Sequence, residues 1–283
     1  MNWYGLHISK PKKVEEKTPL TALSFFLGNP RGYKFKAWDP QAVENFKTSL
    51  KLCSNLTPDQ IPIHGCYLIN LASPKPDVIP KSRERLLAEL TTCRELGITR
   101  YVLHPGFTPN PAEGLKQLGD HLKEILPQFP TVNILIENMT GTNKLGQTFE
   151  QIRDLLLYVS EPNLKVCLDT AHSWGAGMNM NTLLDDFDRI IGLEYLWAIH
   201  LNDSKAEFGG NRDLHQNIFE GNIPRNFWYD FVLDPRIQNI PCILETPVNN
   251  HPRLQVFMNF IKFMNSIHVP LPLSKTMWNY VNY

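Results

Sequence analysis

Short apolar runs separated by amphipathic stretches set the rhythm of this chain. Eight runs read as strands: residues 3–9 (WYGLHIS), 22–28 (ALSFFLG), 61–67 (IPIHGCY), 100–104 (RYVLH), 132–137 (VNILIE), 164–169 (LKVCLD), 195–202 (YLWAIHLN) and 241–245 (PCILE). Between them, residues 40–52, 81–96, 111–126, 148–159, 180–191, 226–233 and 253–267 read as helices. The spacing of Val43, Phe46 and Leu50 illustrates the helical period. Gly97 and Gly192 stand where two of the helices should stop. The charged segment 10–17 leaves little room for a helix after the first strand, and 203–222 reads as a long polar loop.

Strands alternating with helices predict parallel pairing through right-handed crossovers. Runs apolar on both faces fit a sheet covered by helices. The expected fold class is therefore α/β, a single (β/α)8 TIM barrel over residues 1–267, with 268–283 as a C-terminal tail. A doubly wound open sheet is the alternative. The barrel is preferred because residues of metal-ligand type end strands all along the chain. An open sheet would gather its site at one switch point and strand several of them.

Composition narrows the choice of function. The 283 residues are 42% hydrophobic, enough for a full core. The formal net charge is +0, so a nucleic-acid partner would have to meet a local basic patch. Five cysteines (Cys53, Cys66, Cys93, Cys167, Cys242) form no C-x-x-C pair and read as reduced thiols. The first residues lack a signal-peptide pattern and no apolar run is long enough for a bilayer. A soluble, intracellular location is expected, with no membrane partner.

The candidate chemistry lies at the strand ends. The third strand carries His64, the fourth His104, the fifth Glu137 and the sixth Asp169, with His172 on the turn that follows. The seventh carries His200, its loop Asp213 and His215, and the eighth Glu245. Asp213 and His215, two apart in an extended segment, point the same way. Carboxylate and imidazole donors suit zinc or a similar divalent ion. Taken alone, Asp169 and His172 read first as a helix N-cap and a surface histidine, and only the recurrence of the pattern along the chain reverses that order. Nine donors on one rim exceed the roughly four that one zinc takes, and suit two or three ions with a bridging carboxylate. Paired ions lower the pKa of a shared water toward about 7 and clamp a phosphodiester in line. His121, His251 and His268 are assigned to the surface, while His7 is left between a packing role and support of the site.

These residues fall in segments that resemble the endonuclease IV family of apurinic/apyrimidinic (AP) endonucleases. The matching stretches are GLHIS at 5–9, IHGCYLINL at 63–71, HPG at 104–106 and IEN at 136–138. They continue with CLDTAH at 167–172, HLNDSK at 200–205, RDLH at 212–215, EGNI at 220–223 and LET at 244–246. The resemblance implies three Zn2+ ions, with Mn2+ an alternative at one site. His64, His104 and Glu137 would surround one ion, and Glu137 would bridge to a second held with Asp169, His200 and Glu245. His172, Asp213 and His215 would hold the third. Glu137, Glu245 and Asp169 become the expected catalytic carboxylates.

The implied reaction is hydrolysis of the phosphodiester 5′ to an abasic site in duplex DNA, leaving a 3′-hydroxyl and a 5′-deoxyribose phosphate, together with trimming of blocked 3′ ends. The nucleophile implied is metal-bound hydroxide. A monomer is expected. Arg31 and Tyr33 after the second strand, and Tyr67 after the third, would enter the minor groove. Lys205 and Arg212 would meet phosphates, as would Lys34 and Lys36. Two rival readings remain at this stage: a metal-dependent sugar isomerase or epimerase on a related barrel, and a DNA-binding protein without catalysis.

Overall fold

The computed structural model describes residues 3–8, 20–246 and 259. Eight parallel strands close into a barrel: β1 (Trp3–Ile8), β2 (Ala22–Phe26), β3 (Ile63–His64), β4 (Arg100–Leu103), β5 (Asn133–Glu137), β6 (Leu164–Asp169), β7 (Leu196–His200) and, last in the chain, β10 (Pro241–Leu244). Every neighbour follows chain order, and β10 closes against β1 through Trp3↔Pro241 to Leu6↔Leu244. Helices α1 (Pro40–Lys51), α2 (Val78–Leu96), α3 (Pro111–Ile125), α4 (Phe149–Val159), α5 (Thr170–Gly175), α6 (Leu183–Ile190) and α7 (Arg225–Leu233) belong to the intervening crossovers.

Local chemistry explains most boundaries. The Asp39 side chain caps α1 at Ala42 N, and Thr148 caps α4 at Gln151 N. Gly97 ends α2 at φ 75°, a left-handed conformation that a side chain would strain. The third strand is only two residues long, not the seven of the 61–67 run, because the chain turns out of the sheet at Gly65. A Cβ there would sit 2.6 Å from the Tyr101 hydroxyl. The polar stretch 203–222 is not all loop. It contains a two-stranded antiparallel ribbon, β8 (Asp203–Ser204) with β9 (His215–Gln216). Buried Asp203 secures it by accepting hydrogen bonds from the backbone N–H of Ser204, Gly221 and Ile223.

The inside of the barrel explains how the fold builds a site. Val102, Leu135, Cys167 and Ala198 form a small apolar cluster from β4 to β7. Side chains two apart on a strand share a face. The next inward positions toward the C-terminal mouth are therefore His104, Glu137, Asp169 and His200. One step along four strands converts a dry plug into a layer of ionisable groups, which is where barrels of this type carry their sites.

All five cysteines are free and buried. No helix among the described residues is long and apolar enough to cross a membrane. The expected helix over 253–267, the tail 268–283 and the segment 10–17 lie outside the described residues, as do His251 and His268. His121 lies partly exposed on α3, with its Nδ1 3.5 Å from Arg83 Nη1.

Candidate metal centre

All nine donors converge at the C-terminal mouth. Glu137, fully buried at the end of β5, stands at the centre. Its Oε2 lies 3.1 Å from His104 Nε2 and 3.7 Å from His64 Nε2, while its Oε1 lies 3.0 Å from His200 Nδ1 and 3.3 Å from His172 Nδ1. Each carboxylate oxygen thus serves a different set of imidazoles, the geometry a bridging ligand needs. Glu245 straddles in the same way, with Oε2 at 3.1 Å from His200 Nδ1 and Oε1 at 3.8 Å from His64 Nε2.

Asp169 carries two roles at once. Its Oδ1 accepts from His172 N at 2.7 Å and caps the short helix α5, which the sequence pattern does not reveal. Its Oδ2 faces the site, 3.8 Å from His200 Nδ1 and 3.7 Å from His215 Nε2. The N-cap reading is correct for Asp169. The surface reading of His172 is not, since that residue is 1% exposed. Asp213 reaches both outer imidazoles, 3.3 Å from His172 Nε2 and 3.1 Å from His215 Nε2, with its side chain 46% exposed.

The donor set fits divalent ions on two counts. Ligand atoms of four groups lie within 4.8 Å of one another: His64, His104 and Glu137; His64, His200 and Glu245; Glu137, Asp169, His200 and Glu245; and Asp169, His172 and His215. A tetrahedral zinc with bonds near 2.0–2.1 Å separates its ligands by roughly 3.4 Å, close to the spacings above. Moreover, Glu137 Oε2, His172 Nε2 and His215 Nε2 are buried without a hydrogen-bond partner. Buried polar atoms normally find hydrogen-bond partners; each of these three instead stands 3.1–3.3 Å from another group of the set, His104 or Asp213, as ligand atoms around a cation do.

The other ring nitrogen sets each tautomer. His64 Nδ1 lies 2.9 Å from Gly65 O, and His172 Nδ1 lies 2.9 Å from Asn138 O. A proton held there leaves Nε2 free to ligate. Two buried asparagines that the strand-end reasoning passes over hold the acidic residues in place, Asn202 through their carboxylates and Asn138 through the Asp169 backbone. Asn202 donates through Nδ2 to Asp169 Oδ2 at 2.7 Å and to Glu245 Oε2 at 3.4 Å, and its Oδ1 accepts from Glu245 N at 2.9 Å. Asn138 accepts from Asp169 N at 2.6 Å and donates to the Asp169 carbonyl at 3.2 Å. Both sit inside the quoted motifs, one residue after Glu137 and two after His200, so their position was the available signal. His7 resolves toward support of the site: its Nδ1 is 3.5 Å from Glu245 Oε1 and 3.2 Å from Ser24 Oγ.

Burial and charge divide the imidazoles. Burial, aided by His200, drives His7 down to about 3, and burial with neighbouring His104 holds His64 well below the usual range. Burial also pulls on His172, but Asp169, Asp213 and Glu137 outweigh it and raise His172 well above its ordinary value. Against the same penalty, Asp213 and Asp169 hold His215 up at about 9. Burial opposes ionisation of Glu137, yet His200 and His104 keep it well below the usual carboxylate range. The pocket thus holds Glu137 ionised beside positive charge on His172 and His215, while burial pushes the Glu245 carboxyl above its ordinary value.

Residues over 16–267 match the family described as xylose isomerase-like TIM barrel. The chain is 33% identical over 278 residues to apurinic-apyrimidinic endonuclease 1 of Saccharomyces cerevisiae, covering 92% of this chain and 75% of that protein. It is 38% identical over 252 residues to the probable endonuclease 4 of Thermosipho melanesiensis, covering 85% and 87%. This chain belongs to the endonuclease IV family of AP endonucleases. The crystal structure of endonuclease IV from Thermus thermophilus superposes with a TM-score of 0.82 at 30% identity, covering 94% of this chain and 99% of that one.

The residues expected to meet DNA differ in exposure and contacts. Arg31, Lys34, Lys36, Lys205 and Arg212 are exposed. Tyr67, 43% exposed, lies with its ring 5.2 Å from His64 and 5.6 Å from His104, so it links the donor cluster to the rim. Tyr33 is half-buried and donates its hydroxyl to Leu68 O at 2.7 Å. It therefore braces the loop after β3.

Proposed function

We propose that this protein is a zinc-dependent AP endonuclease that hydrolyses the phosphodiester 5′ to abasic sites in duplex DNA. The products are a 3′-hydroxyl and a 5′-deoxyribose phosphate, and the same site removes blocking groups from 3′ ends. One observation carries the reading: eight imidazole and carboxylate donors meet in one mouth, Asp213 joins them through His172 and His215, and buried donor atoms among them lack hydrogen-bond partners. Family membership supplies the substrate class.

Three zinc ions are assigned, with Mn2+ as an alternative at one position. His64, His104 and Glu137 would hold the first; Glu137, Asp169, His200 and Glu245 would hold the second; and His172, Asp213 and His215 would hold the third, with Asp169 Oδ2 close to this last set. Bound divalent ions supply an activated water near neutral pH and neutralise charge on the phosphate. The chain's own residues do the rest. Glu137, Glu245 and Asp169 span the sets and fix their separation. Asn202 keeps Asp169 and Glu245 facing inward. Arg31 and Tyr67 open the duplex at the lesion, Tyr33 holds their loops together, and Lys205 and Arg212 grip the backbone. An abasic nucleotide has no base to unstack, so turning it into the mouth costs little.

The test is a duplex with a single tetrahydrofuran abasic analogue, incubated with zinc-loaded protein. A nick 5′ to the analogue supports the reading. An intact duplex would overturn it, and epimerisation of a free sugar by the same preparation would replace it with the isomerase alternative.

A further inference from the structure

We propose that Arg85 and Glu89, a buried ion pair on α2, are positioning residues that hold the loops after β2 and β3 in the shape that grips damaged DNA. The proposal rests on the AP-endonuclease reading and names a determinant of its substrate affinity outside the mouth. Both side chains are 0% exposed and lie four residues apart, Arg85 Nη2 donating to Glu89 Oε1 at 2.7 Å. They share the inward stripe of α2 with Ser82, Leu86, Leu90 and Cys93. Apolar side chains would fill such positions without desolvating charge, so the contacts the pair makes account for its presence.

Those contacts all go to the two loops and the strand beside them. Arg85 Nη1 donates to Gly32 O and to Lys34 O, each at 3.0 Å, and Nη2 donates to Asn29 O at 3.3 Å. Its guanidinium lies 4.7 Å from the centre of the Phe35 ring. Three carbonyls bracketing Arg31 and Tyr33 are thus fixed by one planar fork, a geometry that lysine cannot reproduce. Glu89 Oε2 accepts from Cys66 N at 3.2 Å and from the Tyr101 hydroxyl at 2.5 Å, which anchors the residue before Tyr67. The loops are also joined directly: Tyr67 N donates to Pro30 O at 3.0 Å, and the Cys66 thiol lies 3.2 Å from the same carbonyl. None of these hydrogen bonds goes to an assigned metal donor; the nearest approach along the chain is Cys66, two residues after His64, which is why bound zinc is measured beside affinity.

Two variants test the proposal. Arg85→Lys keeps the charge and loses the fork. The Arg85→Met/Glu89→Met double variant removes both charges, so neither is stranded. For each, affinity for the tetrahydrofuran duplex, kcat, KM, bound zinc and amide hydrogen exchange are measured. The expected result is Kd and KM raised about tenfold with kcat within about twofold, zinc unchanged, and faster exchange at 29–35 and 66–68. A folded double variant with wild-type Kd and wild-type loop exchange overturns the proposal. So does a loss of kcat or zinc in step with KM, which would make the pair a support of the whole barrel. If the wild-type protein itself leaves the duplex intact, the AP-endonuclease reading fails instead. The exchange data alone then decide whether the pair holds the loops.

Discussion

Replacing Asn202 probes whether the donor cluster is aimed by its supports. The amide is fully buried and makes three hydrogen bonds, two to the carboxylates of Asp169 and Glu245 and one from Glu245 N. Asn202→Ala removes a charge-assisted bond worth roughly 1.5–3 kcal/mol and leaves the Glu245 N–H unpartnered at a further cost of roughly 1–3 kcal/mol. The metal-loaded protein recovers part of this, because cations can neutralise the released carboxylates, but the ligands no longer arrive aligned. Zinc affinity should fall about 10–100-fold. Asn202→Asp keeps the shape but sets a third carboxylate 2.7 Å from Asp169 Oδ2. It should destabilise the metal-free protein more than alanine does, and zinc should narrow the difference. Competition against a chromophoric chelator gives the affinity, and thermal melts with and without chelator give the stability. Wild-type zinc affinity in a folded Asn202→Ala protein would refute the argument that this amide orients the ligands.

Glu137→Gln should abolish incision and lower bound metal, since one oxygen can no longer bridge; elemental analysis beside the nicking assay checks both, and a near-normal rate would remove Glu137 from its role. Arg31→Ala should weaken duplex binding, reduce the slope of log affinity against log salt by about 0.9, and leave zinc untouched; loss of zinc would show that the loop is structural. Chelator-treated protein should lose stability as pH rises from about 6.5, the ordinary histidine value, through the His215 value of about 9. His215 is held up by Asp213 and Asp169 against burial, so its contribution is complete below the unfolded value and fades as the folded group gives up its proton. Melting temperatures across this window would check the sign, and a rise with pH would contradict it. Zinc uptake should release protons for the same reason, measurable by calorimetry in two buffers of different ionisation enthalpy.

The barrel was legible because strand and helix periods alternate along most of the chain, and because most of the donors fall at or just after the end of an apolar run. Reading by type and spacing picked out nine side chains that the structure brings together. The elements it missed are those with no period to read. Helix α5 is six residues long, and β8 and β9 are two each, below the length at which alternation can be seen. The 61–67 run was overextended because apolar content continues past Gly65 after the backbone has left the sheet. Arg85 and Glu89 went unnoticed because an i,i+4 pair of opposite charge usually marks a solvated face. Their spacing from Leu86, Leu90 and Cys93 places them on the buried stripe instead.

Asp169 shows why competing interpretations of one residue need not exclude each other. A carboxylate has two oxygens, and a strand that runs into a helix presents them to different partners. Oδ1 satisfies a backbone N–H that the first turn of α5 would otherwise leave bare, and that turn delivers His172. Oδ2 is thereby held in one direction, toward His200 and His215. Asparagine at this position would still cap, since its oxygen accepts the same bond, but its second atom would be an NH2 facing Asn202 Nδ2, a donor, at the place where an acceptor now stands. An Asp169→Asn protein should therefore keep the helix and the fold while losing metal. Elemental analysis and far-ultraviolet circular dichroism on one sample separate the two roles. Loss of helix together with metal would show that the cap cannot be divided from the site.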